Sequence, residues 1–289
     1  MLSIRKILLP VAFSERCRGA ASYAAAIGCH FNAQITVLHS LESAAVSTRG
    51  FEGIALPESW YVQQREHMQK ELERFFLQEL RGVKVRYVLV EGDPAKEIVR
   101  YAHAEETDLT IMPTHGYGPF RRFLLGSVTA KVLHDAGCPI LTGPHMEEAP
   151  RGLIGFANVV CAVDLGPQSG AVVEWGARFA ESYGAKTSFV HAIPLHELRL
   201  GGVYFDDAWR TESVKRVRGS IAELCDAAKV SGDIHIEFGE PASAVADYAS
   251  GAEANLVVAG RTHAAGIAGR LRSTGYAIVR ESPCAVLSV

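Results

Sequence analysis

The sequence predicts an α/β protein made twice: two domains, each a five-stranded parallel sheet between helices. Three observations predict it. Short apolar runs alternate with longer amphipathic ones along the chain, as strands and helices in turn do. The short runs are apolar almost throughout, as parallel strands buried on both faces are. The pattern then restarts after about 150 residues, which is a whole domain and not a solenoid repeat. Lys6-Ile7-Leu8-Leu9-Pro10-Val11-Ala12-Phe13 returns as Asn158-Val159-Val160-Cys161-Ala162-Val163-Asp164-Leu165. Thr36-Val37-Leu38-His39 returns as Ser188-Phe189-Val190-His191, Gly92-Asp93-Pro94 as Gly239-Glu240-Pro241, and Asp108-Leu109 as Asn255-Leu256.

Taken in order, Ile7 to Phe13 is a fully apolar strand. Arg18 to His30 is Ala-rich and reads as a helix, and Ile35 to His39 as the second strand. Ser43 to Ser59 is polar, marked by Gly and Pro, and reads as a loop. From Tyr61 to Leu80, Met68, Leu72, Phe75, Phe76 and Leu80 keep helical spacing. Val83 to Val90 is a strand. Asp93 reads as an N-cap with Pro94 at the first helical position, and the helix runs to about Glu105. Leu109 to Met112, a helix over Val128 to Asp135 and a strand over Pro139 to Thr142 complete the first domain. The second follows the same plan. Its strands are Val159 to Leu165, Thr187 to His191, Ile234 to Phe238, Leu256 to Ala259 and Ala285 to Val289. Its helices are Ala171 to Tyr183, Glu212 to Lys229 and Ala242 to Ser250, and Glu240 reads as a cap. Right-handed crossovers make each domain a doubly wound, Rossmann-like sandwich. The expected domains are 1–144 and 156–289, joined by a linker over 145–155 that carries acids, Pro150 and two glycines.

Composition narrows the function. A chain of 289 residues with 48% apolar content suits two domains with cores of their own. A net charge of −3 and the lack of any basic run argue against a nucleic-acid binder. The six cysteines form no C-x-x-C pair, so neither a zinc knuckle nor a disulfide framework is indicated, and Cys138 and Cys284 read as small core residues. The apolar run at the start is short and broken by Pro10. It reads as a first strand, not a signal peptide or membrane span. The expectation is a soluble, cytoplasmic protein without membrane partners.

Ligands of an open parallel sheet bind beyond the carboxyl ends of its strands, where the strand order reverses. The loop after the fourth strand is therefore the first candidate. It runs from Met112 and Pro113 through His115, Gly116, Arg121 and Arg122 to Gly126-Ser127-Val128-Thr129, which opens a helix. Small residues there expose backbone N–H groups and set hydroxyls at the positive end of the helix dipole, which suits a phosphate. Gly-Ser before a helix is also an ordinary N-cap, and Arg121 and Arg122 also suit a solvated helix face. His39, His191, His115 and His263 recur near strand ends. A metal site from them lacks a carboxylate or thiolate partner at short spacing, and a hydrogen bond to a neighbouring loop is the plainer role. His115 with Ser127 lacks a G-x-S-x-G elbow, so hydrolysis by a triad is not indicated.

Together these pieces resemble a tandem-domain member of the universal stress protein family. The resemblance rests on the opening Lys-Ile-Leu-Leu-Pro-Val-x-Phe-Ser, the Leu-His of the second strand, Gly-Asp-Pro, Asp-Leu, Thr-His-Gly and Leu-Leu-Gly-Ser-Val-Thr. It covers nearly all of the first half, and the second half over its length with weaker motifs. It implies an adenine nucleotide alpha hydrolase-like fold. ATP-binding members carry Gly-x-x-Gly, nine residues, then Gly-Ser/Thr, with an Asp ending the first strand. In the first half Gly116, Gly126 and Ser127 match, Pro113 replaces the first Gly, and Ala12 replaces the Asp. Pro113 removes a donor and fixes φ, which compromises the cradle. In the second half Asp164 and Gly260 match, His263 replaces the second Gly, and Arg272-Ser273-Thr274 stands in place of the final Gly-Ser/Thr.

The resemblance thus implies a stress-response protein that binds or senses ATP, with Mg²⁺, at partly degenerate sites. Gly116, Gly126, Ser127, Val128 and Thr129 would hold phosphates, with His115 and Met112 beside them. Pro10, Val11 and Ser40 would line base and ribose. The second half, with Asp164, Gly260 and Ser273, suits ribose better than phosphate. It also implies that the last strands, Ile140 to Thr142 and Val286 to Val289, pair within one chain as a built-in dimer, which would cover two edges; a homodimer is a further possibility. The competing readings are a nucleotide-free scaffold acting through protein contacts, and a slow ATPase.

Overall fold

The apolar runs form strands and the amphipathic runs form helices in both halves. The computed structural model describes residues 2–41, 58–114, 125–143, 154–194, 207–261 and 274–289. The chain divides into two compact units, essentially Ser3–Leu141 and Gly155–Val289. The first contains β1 (Lys6–Pro10), α1 (Glu15–Phe31), β2 (Gln34–Leu41), α2 (Glu58–Phe75), β3 (Lys84–Glu91), α3 (Pro94–Ala104), β4 (Leu109–Ile111), α4 (Ser127–Asp135) and β5 (Ile140–Thr142). Its strands lie in the order β3-β2-β1-β4-β5 and every described pair is parallel. The second contains β6 (Asn158–Ala162), α5 (Ser169–Tyr183), β7 (Lys186–Ile193), α6 (Asp207–Ala228), β8 (Asp233–Phe238), α7 (Pro241–Gly251), β9 (Leu256–Ala259), α8 (Thr274–Glu281) and β10 (Ala285–Ser288). Its order is β10-β9-β6-β7-β8, again all parallel.

The central strands carry the cores. Ile7, Leu8 and Leu9 of β1 are buried, as are Val159, Val160 and Cys161 of β6 and all of β9. On α1 the buried residues are mostly small (Ala20, Ala21, Ala24), so that helix lies close against the sheet. Several boundaries differ from the expected ones. The first strand stops at Pro10, because Phe13 takes a left-handed φ of 38° that ends the extended run. Helix α2 begins at Glu58, inside the stretch read as a loop, and ends at Phe75. The rest of that loop lies outside the described residues. Glu240 occupies the N-cap position of α7 but its side chain makes no capping bond, whereas Asp93 accepts from the Lys96 amide at 3.0 Å. The extra methylene of glutamate carries the carboxylate past the amide that an aspartate meets.

The repeat is written into the backbone. Among the described residues ten have positive φ, and they fall into five corresponding pairs: Phe13 with Leu165, Asn32 with Gly184, Gly82 with Lys229, Gly92 with Gly239, and Glu106 with Glu253. Asp108 and Asn255 are a further pair. Asp108 Oδ2 accepts from the amides of Arg5 and Lys6 at 2.7 and 2.9 Å. Asn255 Oδ1 accepts from the amides of Ala157 and Asn158 at 2.7 and 3.0 Å. Each thus ties the start of the central strand to the turn before its neighbour. Asn does this without charge, so the geometry carries the role. Asp108→Ala should cost about 1–2 kcal/mol by leaving two strand amides without their acceptor, and Asp108→Asn well under half of that. Urea unfolding of the two variants checks the ranking.

All six cysteines are free thiols. Cys138 is buried beside the Thr110 hydroxyl, 3.2 Å away. Burial pushes the Cys284 thiol up to about 11, so both behave as the packing residues the sequence indicates. Among the described residues no helix is long and apolar enough to cross a membrane.

Candidate functional site

In each half the winding reverses between two central strands, β1 and β4 in the first and β6 and β9 in the second. The crevice beyond their carboxyl ends is where an open α/β sheet receives ligands. Pro10 ends β1 and Val11 follows it, with its amide bonded to the Leu38 carbonyl. Ser40 lies near the end of β2, and Met112 follows β4. The structure therefore brings Pro10, Val11, Ser40, Met112 and the start of α4 to one end of one sheet. His115, Gly116, Arg121, Arg122, His263, Arg272 and Ser273 lie outside the described residues.

The start of α4 is clasped from two sides. The Gly126 amide donates to the Thr114 carbonyl at 2.8 Å. The Thr129 hydroxyl donates to the Pro113 carbonyl at 3.0 Å, and Thr129 is only 3% exposed. Gly126 is the N-cap, with no side-chain capping bond. So the donors of the Gly126 amide and the Thr129 hydroxyl are spent within the protein. The amides of Ser127, Val128 and Thr129 are the first-turn N–H groups that a helix leaves open, and Ser127 is exposed. The Gly126 amide and the Thr129 hydroxyl are thus engaged with Thr114 and Pro113 at the start of α4. Pro113 removes a donor from the cradle, but its carbonyl anchors Thr129.

The other candidates are also engaged. The Ser40 hydroxyl donates to the Gly92 carbonyl at 2.9 Å, tying β2 to the turn after β3. Met112 is buried and its amide donates to Leu141 at 3.1 Å, continuing the sheet. His39 Nδ1 lies 2.8 Å from the Val11 carbonyl, and His191 Nδ1 lies 2.7 Å from the Val163 carbonyl. Both histidines therefore make the loop hydrogen bond that was the plainer reading. Burial lowers the His39 pKa, and its bond to Val11 opposes this in part. The sign follows. Above the unfolded value, near 6.5, both states are neutral and stability is flat. Below it the unfolded chain takes up a proton that the folded ring resists, so stability falls until the folded pKa is passed. His39→Asn should remove that loss. Chemical unfolding at about pH 7.5 and about pH 5.5 should show a smaller drop in the variant than in the parent.

Asp164 is exposed, and its Oδ1 accepts from the Gly166 amide at 2.8 Å and the Ser169 hydroxyl at 2.9 Å. In the first half the same places hold Ala12, Ser14 and Cys17, and the Ala12 amide donates to Cys17 Sγ at 3.4 Å. A carboxylate clasp in one half is thus a thiol clasp in the other. The first half has no carboxylate at this position to repel a phosphate.

Sequence reasoning missed the bend after the central strand. Phe13 and Leu165 both adopt left-handed backbone, at φ 38° and 60°, although neither residue type favours it. The bend places the Phe13 ring 4.7 Å from that of His39 and 5.7 Å from Phe75, edge-on to both.

The universal stress protein family model matches residues 3–142 and matches again over 155–289. The chain belongs to the universal stress protein family. Its two universal stress protein domains are a tandem within one chain. Universal stress protein MJ0531 of Methanocaldococcus jannaschii is 33% identical over 141 residues, which are 47% of this chain and 80% of that protein. Universal stress protein MJ0577 of the same organism is 28% identical over 150 residues, 47% of this chain and 93% of that protein. Among solved structures, a universal stress protein from Archaeoglobus fulgidus matches 99% of this chain and 96% of its own at a TM-score of 0.69 and 21% identity. That likeness extends the shared fold over the tandem chain.

Proposed function

We propose that this universal stress protein binds an adenine nucleotide, ATP with its Mg²⁺, in its N-terminal half. It acts in the cytoplasmic stress response by nucleotide-linked binding and not by a committed chemical step. The observation that carries the reading is the clasped start of α4. Two internal hydrogen bonds hold it, from Gly126 to Thr114 and from Thr129 to Pro113, and the Ser127, Val128 and Thr129 amides belong to the first turn, at the positive end of the helix. Preorganised amides at a helix N-terminus suit phosphate oxygens. Gly116 and His115 would complete the cradle, and Pro10, Val11, Ser40 and Met112 would border base and ribose. Asp164, Gly260 and Ser273 mark the corresponding, weaker place in the other half.

One observation favours a nucleotide-free scaffold instead. The polar side chains nearest the crevices, Ser40, Thr129 and Asp164, all make hydrogen bonds within their own half. Titration of ATP and Mg²⁺ into protein stripped of carried-over ligand separates the readings. The nucleotide reading expects one ATP bound per chain, and the scaffold reading expects none up to millimolar concentration. The proposal includes the pairing of the two last strands that the resemblance implies. A homodimer beyond that would double the mass read by light scattering.

A further inference from the structure

We propose that Arg65 and Arg218 guard the free sheet edges at β3 and β8, and that without them a second copy of this chain adds its own edge strand there.

In the first half β3 ends the strand order on one side, and in the second half β8 does. Along a strand, successive residues turn their N–H and C=O groups to opposite sides, so one hydrogen bond fixes the facing of the whole strand. The Gly92 amide donates inward to the Leu41 carbonyl at 3.1 Å, and the Gly239 amide inward to the Ile193 carbonyl at 3.0 Å. Counting back by twos, Val90 and Val88 face β2, whereas Leu89, Tyr87 and Val85 turn their backbone groups outward. On β8 the outward set is Phe238, Ile236 and Ile234. Such outward rows are templates for a further strand. At eight residues in β3 and six in β8, both are of ordinary strand length.

Each row is interrupted by an arginine from the helix before it. Arg65 of α2 donates from Nη2 to the Leu89 carbonyl at 3.2 Å, and its Nη1 lies 3.6 Å from Glu91 Oε1. Arg218 of α6 donates from Nη1 to the Ile234 carbonyl at 2.8 Å. Arg210 adds a second cation on that edge, with its guanidinium 4.8 Å from the centre of the Phe238 ring. A strand docking on either edge must displace a guanidinium from the carbonyl it would itself need. Two copies meeting by like edges also bring cation against cation, which opposes pairing.

The two contacts are not copies of one another. In the offset that relates Gly82 to Lys229 and Gly92 to Gly239, Arg65 corresponds to Glu212 and Arg218 to Glu71. The capped residues differ likewise, since Leu89 corresponds to Ile236 and Ile234 to Tyr87. Each half therefore reaches the same contact with an arginine of its own. Both arginines are exposed, where a charged pair contributes little to stability. An exposed cation on an outward carbonyl suits the protection of an edge.

The test follows the mass of the intact chain against concentration by sedimentation, together with deuterium exchange at the Tyr87 and Ile236 amides. Arg65→Met and Arg218→Met keep an apolar side chain and lose both the charge and the donor. They are compared singly and together with the parent and with the double variant Arg65→Lys, Arg218→Lys. The parent and the lysine double variant are expected to hold one mass at all concentrations. Each single methionine variant should associate to about twice the parent mass, because one open edge pairs with its like and closes. The double methionine variant should grow beyond that, and exchange should slow at Tyr87 or Ile236 wherever that edge is opened. Constant mass in the methionine variants, with thermal unfolding like the parent's, would overturn the proposal. So would association without slowing at those amides, or slowing with concentration in the parent. If the double variant does not fold, the single variants decide by the same readings.

Discussion

Gly126→Arg is expected to abolish ATP binding, weakening it at least 30-fold while leaving the protein folded. Gly126 sits at φ −60° and ψ 145°, a backbone conformation open to any residue. Its amide donates to Thr114, and an arginine amide keeps that bond. The fold therefore tolerates the change. What changes is the space at the first-turn amides of α4. A long cationic side chain rooted at the N-cap competes for the place a phosphate would occupy and meets the same donors with the wrong charge. Loss of several charge-assisted hydrogen bonds, each about 1.5–3 kcal/mol, accounts for a factor of that size. Calorimetry with ATP and Mg²⁺, beside thermal unfolding, reads both consequences. An unchanged affinity would remove the N-terminal half as the phosphate site.

Gly176→Ala should be the most damaging small substitution in the C-terminal half. Gly176 lies inside α5, where alanine normally stabilises a helix by about 0.5–1 kcal/mol. Here a Cβ would run into Cys161 Sγ and stand 3.4 Å from Val258 Cγ2. Both neighbours are fully buried in the central strands β6 and β9. The overlap forces helix and sheet apart, and overpacking of this kind costs about 1–3 kcal/mol, occasionally more. A net loss of about 2 kcal/mol is the expected result in urea unfolding. Cys161→Ala removes the sulfur that the new methyl strikes. The double variant should therefore be more stable than Gly176→Ala alone, a departure from additivity that reports direct contact. Equal or lower stability of the double variant would mean that helix spacing, and not Cys161, sets the limit.

How much of this was legible in the sequence depends on range. The strands, most helices and the repeat followed from apolar periodicity, and Asp93-Pro94 announced its own helix start. Asp108 and Asn255 were visible as a recurring pair. Their role appeared only once the register set them beside the amides of Arg5, Lys6, Ala157 and Asn158. The bends at Phe13 and Leu165 gave no signal, because residue types that seldom take positive φ conceal it. Gly126 to Thr129 stood out in the sequence as a candidate site, but the engagement of the Gly126 amide and the Thr129 hydroxyl with Thr114 and Pro113 appeared only in the hydrogen bonds.

The central claim is that phosphate meets the first-turn amides of α4. An amide-resolved NMR titration of the stripped protein with ATP and Mg²⁺ tests it most directly. The account predicts that the Ser127, Val128 and Thr129 resonances move together and saturate at one ATP per chain, while Thr274 and Gly275 at the start of α8 stay still. Movement confined to α8, or saturation with Ser127 to Thr129 unmoved, would contradict it.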